Sequence, residues 1–182
     1  DIPSEGSGLG SSSALTVGLL NAMYHFNGEQ VTAERIAREA CKIEIDVLEK
    51  PIGKQDQYIT AFGGIKKIVF NTDGNVTVKK LSFEWGQRIR LGSNLLLHYT
   101  DITRKADKIL KEQKRNANNK FGVLSDIAGL VPILEKEFEN ENLNAVGLLL
   151  KTNWALKKTL ASGITKPEIE EMVELAMNNG AS

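Results

Sequence analysis

Apolar residues in this chain recur mostly at the three-to-four spacing of a helix, and short stretches between them alternate like strands. Leu15, Leu19, Ala22 and Phe26 mark one face of a helix that begins directly after a glycine- and serine-rich segment. Ile36, Ala40, Ile43 and Val47 mark a second helix, and Thr32 suits its N-cap because the hydroxyl can accept from an amide of the first turn. Pro51 is expected to stop that helix, since a residue before proline avoids the helical region. The break delivers residues 53–57 as a loop. Residues 65–70 and 76–81 read as antiparallel strands joined through Asn71-Thr72-Asp73-Gly74-Asn75. Residues 95–99 are apolar enough for a buried strand, in which His98 reads as a satisfied, half-buried side chain.

From Arg104 the pattern is helical almost to the end. Ala106, Ile109 and Gln113 lie on a strongly charged helix. Pro132 should kink or divide the pattern over residues 124–138. Val146, Leu150 and Trp154 belong to a third helix. Pro167 opens a last one with Ile169, Met172, Val173 and Ala176. The expected class is α/β, with a boundary around residues 84–92 and a helix-rich second half that closes one side of a cleft.

Composition narrows this only a little. The 182 residues, 41% of them hydrophobic, can bury a real core as one domain or two small ones. Lys+Arg and Asp+Glu both number 23, which removes any bulk electrostatic case for nucleic acid or an anionic membrane as partner. No apolar run approaches the roughly 20 residues that span a bilayer. The single Cys41 cannot form an internal disulfide, which makes a reducing cytoplasm the natural setting. Its place in an apolar helical stripe favours core packing over a catalytic thiol.

The chemistry concentrates at the start, in Pro3-Ser4-Glu5-Gly6-Ser7-Gly8-Leu9-Gly10-Ser11-Ser12-Ser13. Glycine lets a backbone pass close to a ligand and adopt positive φ without a Cβ clash. The first amides of the helix that follows have no intrahelical partner, and the helix dipole favours an anion there. The segment is therefore built for phosphate. A flexible Gly/Ser linker would not lead straight into an apolar helical face. A dinucleotide fingerprint would need a third glycine at Ser11, and the Gly53-Lys54 pair continues with Gln55 instead of the hydroxyl residue of a Walker loop.

The order Pro3, then Gly8-Leu9-Gly10-Ser11-Ser12-Ser13, then an apolar helix resembles the phosphate-binding loop of the GHMP kinases. A second segment, Gly53-Lys54-Gln55-Asp56-Gln57-Tyr58 followed by Gly63-Gly64, resembles the Asp-Gln segment of the sugar kinases in that family. Together with Leu97-His98-Tyr99-Thr100-Asp101-Ile102-Thr103-Arg104, it is similar to the bacterial D-glycero-D-manno-heptose 7-phosphate kinases. Asp101 departs from the glycine of many relatives and sets a charge that would repel a sugar phosphate.

The resemblance implies a two-domain α+β kinase. Residues 1–88 would be part of an ATP-binding domain with a mixed sheet and helices, and residues 89–182 part of a helix-rich C-terminal domain. The strand before the loop and a third glycine-rich run are missing, so the chain reads as the middle of a kinase that lacks both ends. By the same resemblance, Gly6, Ser7, Gly8, Leu9, Gly10, Ser11 and Ser12 hold the phosphates of ATP. Ser12 and Glu44 hold Mg²⁺, with Asp46 an alternative to Glu44. Asp56 stands beside the accepting hydroxyl, and Gln57, Thr103 and Arg104 contact the sugar. The implied reaction is transfer of the γ-phosphoryl group to a sugar hydroxyl, the anomeric hydroxyl of the heptose 7-phosphate first of all. Galactokinase-, fucokinase- or mevalonate kinase-like acceptors, a non-catalytic sugar-binding relative, and an isomerase or decarboxylase on the same fold stand beside it.

Overall fold

The computed structural model describes residues 8–100, 102 and 106–182. They fall into two compact units, one running up to Phe83 and the other formed by Glu84 to Thr100 with Lys108 to Ser182.

In the first unit, helix α1 (Ser11–Phe26) packs on α2 (Ala33–Cys41) and on α3 (Gln55–Phe62). A hairpin of β1 (Lys66–Phe70) and β2 (Val76–Lys80) follows. Its strands are antiparallel, with Ile68 opposite Val78 and Phe70 opposite Val76. The turn works as its residues suggest: Gly74 takes φ 87°, and the Asn75 amide donates to Asp73 Oδ1 at 2.9 Å. Among the described residues this hairpin is the whole sheet, where a mixed sheet was expected.

Two small apolar clusters hold these elements. Val17, Ile36 and Ala40 join α1 to α2. Ala37, Cys41 and Tyr58 form the other, with Ile68, Val76 and Val78 of the hairpin against them. The Tyr58 ring meets Phe70 edge-on at 5.9 Å. Burial pushes the Cys41 thiol up to about 11, so this side chain is packing material and not a nucleophile.

Thr32 caps α2 as expected, accepting from the Arg35 amide at 3.2 Å. The face expected of α1 is the wrong one. Leu15 and Phe26 are 72% and 91% exposed, whereas Ser13 and Val17 are buried. The helix is apolar nearly all round, so periodicity alone does not choose its docking face.

The end of α2 also departs from the pattern. From Lys42 to Val47 the chain widens into a π-helical turn, with the Leu48 amide reaching back five residues to Ile43 O at 2.9 Å. The change of phase leaves Val47 exposed, while Glu44, three residues after Cys41 and four after Ala40, stays on the buried face at 0% exposure. The turn ends before Pro51 acts, because Glu49 adopts φ 50° and reverses the chain. Residues 55–57, expected in a loop, instead open α3; Asp56 in its first turn suits the positive end of the helix dipole.

The second unit is helical among the described residues: α4 (Trp85–Ser93), α5 (Ala106–Asn116), α6 (Phe121–Glu139), α7 (Leu143–Lys157) and α8 (Pro167–Asn178). Helix α4 stands where only a boundary was expected. Glu84 and Gln87 form a reciprocal capping box that starts it. Helix α6 runs undivided through Pro132, which forfeits one backbone bond within 19 residues. Helices α6 and α7 pack together. Leu160, Ala161 and Ile164 form a core with Ile109, Val123, Ile127 and Trp154 around it.

Residues 95–99 form no strand and are exposed, His98 included. An apolar strand becomes buried only by pairing at its edges and covering its faces, and no described strand flanks this one. Among the described residues, no helix is long and apolar enough to cross a membrane.

The choice of face on α1 is testable by urea unfolding. Ile36→Ala, at a position 6% exposed between α1 and α2, should cost about 2–4 kcal/mol. Leu15→Ala should stay within about 0.5 kcal/mol.

Candidate active site

The site is assembled from the start of α1, the π-helical turn and the start of α3. Gly8 and Gly10 both take positive φ, 71° and 70°. Gly10 occupies the N-cap position, and its carbonyl accepts the first helical bond from the Ala14 amide at 2.9 Å. With no cap side chain and no acidic residue in the first turn, the N-terminus of α1 presents its amides in the arrangement that suits an anion. Leu9 is exposed, Ser11 half-buried and Ser12 exposed.

Glu44 lies under this helix start. Ser12 Oγ donates to its Oε1 at 2.8 Å and Ser13 Oγ to its Oε2 at 2.6 Å. Consecutive helical residues point about 100° apart, so these two hydroxyls straddle the carboxylate. Gln57 Nε2 donates to Oε2 at 2.6 Å, and the Lys50 ammonium pairs with Oε1 at 3.2 Å. Burial by itself would raise the Glu44 carboxyl. The donations from Ser13, Ser12, Gln57 and Lys50 outweigh it and hold the group below the ordinary carboxylate value.

Asp56 approaches the loop from the start of α3. A Cβ built on Gly10 would stand 3.3 Å from both Cγ and Oδ2 of Asp56. Glycine suits this position for its φ, and a Cβ would also crowd the Asp56 carboxylate by a few tenths of an ångström. Asp56 is half-buried and Glu44 fully buried. The structure thus brings two carboxylates to one helix N-terminus, one enclosed and one partly open.

Not every expected residue sits as foreseen. Asp46, the alternative to Glu44, is exposed on the π-helical turn. Gln57, expected beside the sugar, is 0% exposed and turned onto Glu44, with its Oε1 finding no partner. Gly6, Ser7, Thr103 and Arg104, as well as Asp101, lie outside the described residues. Two residues went unnoticed in the sequence. Ser13 carried a signal, since it lies four residues before Val17 on the buried face. Lys50 carried none, because its approach to Glu44 depends on the reversal at Glu49.

The oxygens present suit Mg²⁺, a hard cation. Ser12 Oγ and Glu44 Oε1 stand together at the start of α1, 2.8 Å apart, and are oxygen donors of the kind that would hold such an ion. Among the described residues no cluster of three or more His, Cys, Asp or Glu forms a closed metal cage. Two protein oxygens, with water and substrate phosphates for the rest, is the usual arrangement for Mg²⁺ in phosphoryl transfer.

Residues 1–64 match the sequence family described as the GHMP kinases N terminal domain. The whole chain is also similar to characterised kinases. It is 30% identical over 187 residues to the D-glycero-alpha-D-manno-heptose 7-phosphate kinase of Campylobacter jejuni, covering 100% of this chain and 54% of that protein. It is 27% identical over 185 residues to the mevalonate kinase of Methanothermobacter thermautotrophicus, covering 100% and 56%. Against the L-fucokinase/L-fucose-1-P guanylyltransferase of Bacteroides fragilis it is 28% identical over 178 residues, covering 93% and 18%. The chain spans about half the length of the first two. The glycine loop, Glu44 and Asp56 all fall inside the GHMP segment.

The ionised Glu44 makes a pH-dependent contribution to stability. A carboxyl held below its unfolded value contributes fully above that value, about 4.3, and loses the contribution as pH falls through the folded one. The stability difference between wild type and Glu44→Gln should therefore be constant near neutrality and shrink below about pH 4, as read from thermal melts. Ser13→Ala, which removes a bond to a buried charge, should cost about 1.5–3 kcal/mol at pH 7.

Proposed function

We propose that this chain belongs to an ATP-dependent kinase that transfers the γ-phosphoryl group to a sugar hydroxyl, with the anomeric hydroxyl of D-glycero-D-manno-heptose 7-phosphate as first candidate. The observation that carries the reading is the placement of Asp56 against Gly10, at the N-terminus of α1, with Glu44 behind the same helix start. A nucleophile-orienting carboxylate beside a phosphate cradle is what an in-line transfer between two small molecules requires.

Gly8, Leu9 and Gly10 and the first amides of α1 bind the phosphates, and Gly6 and Ser7 are assigned to the same phosphates by the resemblance. Ser12 and Glu44 hold the metal ion. Bound there, Mg²⁺ supplies charge neutralisation for the transferring group. Ser13 and Gln57 keep the Glu44 carboxylate ionised and aimed. Asp56 orients the acceptor hydroxyl and offers a carboxylate oxygen to its proton as the new phosphorus–oxygen bond forms and the bond to the leaving ADP breaks. Thr103 and Arg104 are assigned to the sugar, where a guanidinium suits a 7-phosphate. Catalysis of this kind is mainly positioning and charge stabilisation, and it fits a cytoplasmic enzyme with small-molecule partners.

The heptose is favoured by the similarity to a heptose 7-phosphate kinase over the full chain. A panel of ATP with the heptose 7-phosphate, unphosphorylated hexoses, L-fucose and mevalonate tests it. ADP should form in proportion to the phosphorylated heptose, and equal turnover of an unphosphorylated acceptor would reassign the substrate.

Asp56→Asn keeps the shape and removes the charge. In the whole enzyme kcat should fall by about 10²–10⁴, with the KM for ATP nearly unchanged because Asp56 is not assigned to the nucleotide. Gly10→Val should instead abolish ATP binding by calorimetry. It forces a branched residue to φ 70° and drives its Cβ toward the Asp56 carboxylate.

A further inference from the structure

The four donors on Glu44 divide into two kinds. Its Oε2 is held by Ser13 and Gln57, which are 2% and 0% exposed. Its Oε1 is held by Ser12, which is exposed, and by Lys50, whose side chain is 34% exposed. One oxygen is anchored in the interior by neutral groups. The other is shared by a hydroxyl and an ammonium whose own side chains reach solvent.

Lys50 is directed to this oxygen by the backbone. The positive φ at Glu49 reverses the chain after the π-helical turn, and the Lys50 amide closes back on the Glu44 carbonyl at 3.0 Å. Amide and ammonium of one residue thus both engage Glu44. A non-glycine residue at positive φ is strained and persists only where its surroundings impose it. Here the strain seats a cation on the oxygen that Ser12 shares.

We propose that Lys50 is a resident cation that competes with a divalent metal ion for Glu44 Oε1, so that Lys50 sets the metal affinity of the site. The proposal rests on the reading of Ser12 and Glu44 as the metal-holding pair. In the metal-free protein Lys50 compensates a buried carboxylate, which unpaired would be costly. A metal arriving at the same oxygen meets one positive charge already within a few ångströms and must offset it. Lys50 is accordingly a positioning residue that weakens, and does not assist, metal binding.

The test is a Mn²⁺ titration followed by electron paramagnetic resonance on wild type, Lys50→Gln and Lys50→Arg, without nucleotide or sugar. Lys50→Gln should bind Mn²⁺ about tenfold or more tightly than wild type, since a like charge near the seat is removed. Lys50→Arg, which keeps the charge, should bind at wild-type strength or more weakly. Unchanged or weaker binding in Lys50→Gln, including no binding in either protein, overturns the proposal. A purely structural Lys50 would give that weaker result.

A measurement on the wild type covers the case in which Lys50→Gln does not fold. In ¹³C-lysine-labelled protein, the Lys50 ε-methylene resonance should move as Mg²⁺ is added and saturate with the metal isotherm; a resonance that stays in place overturns the proposal. Phosphoryl transfer is read separately on the substrate panel. Tighter Mn²⁺ binding in Lys50→Gln without any transfer would sink the kinase reading and leave this inference standing, and transfer with unchanged Mn²⁺ affinity would do the reverse.

Discussion

A carboxylate with no exposure is the constraint around which the first unit is arranged. Glu44 must be ionised to act as an anion at the helix start, yet burial opposes ionisation. The chain answers with donors from three separate places: Ser12 and Ser13 from α1, Lys50 from beyond the π-helical turn, and Gln57 from α3. Each partner fixes the segment that carries it, so the electrostatic requirement also ties the glycine loop to α3. Removing any one leaves the others around a less compensated charge, and for that reason the donors should behave as a network and not as additive pairs.

The π-helical turn decides which residues accompany Glu44 into the interior. Continued as a regular α-helix, the stripe through Ile36 and Ala40 would carry Ile43 and Val47 inward. The wider turn shifts the phase after Glu44, so that Val47 ends 67% exposed while Glu44 keeps the interior position that follows from Ala40 and Cys41. Such insertions forfeit regular hydrogen bonding and are found at functional positions for that reason. An apolar residue at position 44 would pack well and would leave Ser12 and Ser13 nothing to donate to.

Elements whose local chemistry decides their conformation were legible in the sequence. Thr32, Pro167 and the Asn71 to Asn75 turn act on the chain within a few residues of themselves, and the structure places all three as read. The glycine loop was legible for the same reason, because positive φ at Gly8 and Gly10 is a local property. Glu44 and Asp56 were picked out by resemblance, which carried no reason for their spacing; the structure brings both to the start of α1. Legibility failed where tertiary partners decide. The docking face of α1 depends on α2 and α3, the fate of residues 95–99 depends on strands beside them, and Lys50 depends on one unusual φ at Glu49. The contact of Gln57 was not legible either, because α3 decides that this amide turns inward onto Glu44.

That inward turn separates the duties of two neighbouring residues. Residues 56 and 57 differ by about 100° around α3, enough to send Asp56 to the loop and Gln57 to Glu44. Had residues 53–57 remained a loop, these directions would not be coupled. As a helix, any rotation of α3 that moves Asp56 away from Gly10 must also pull Gln57 from Glu44. The two carboxylates are therefore held in register by a single rigid turn, one as an enclosed group whose ionised form is favoured and the other beside Gly10. Precise placement of this kind is what transfer between two bound molecules demands, because small errors in position cost large factors in rate.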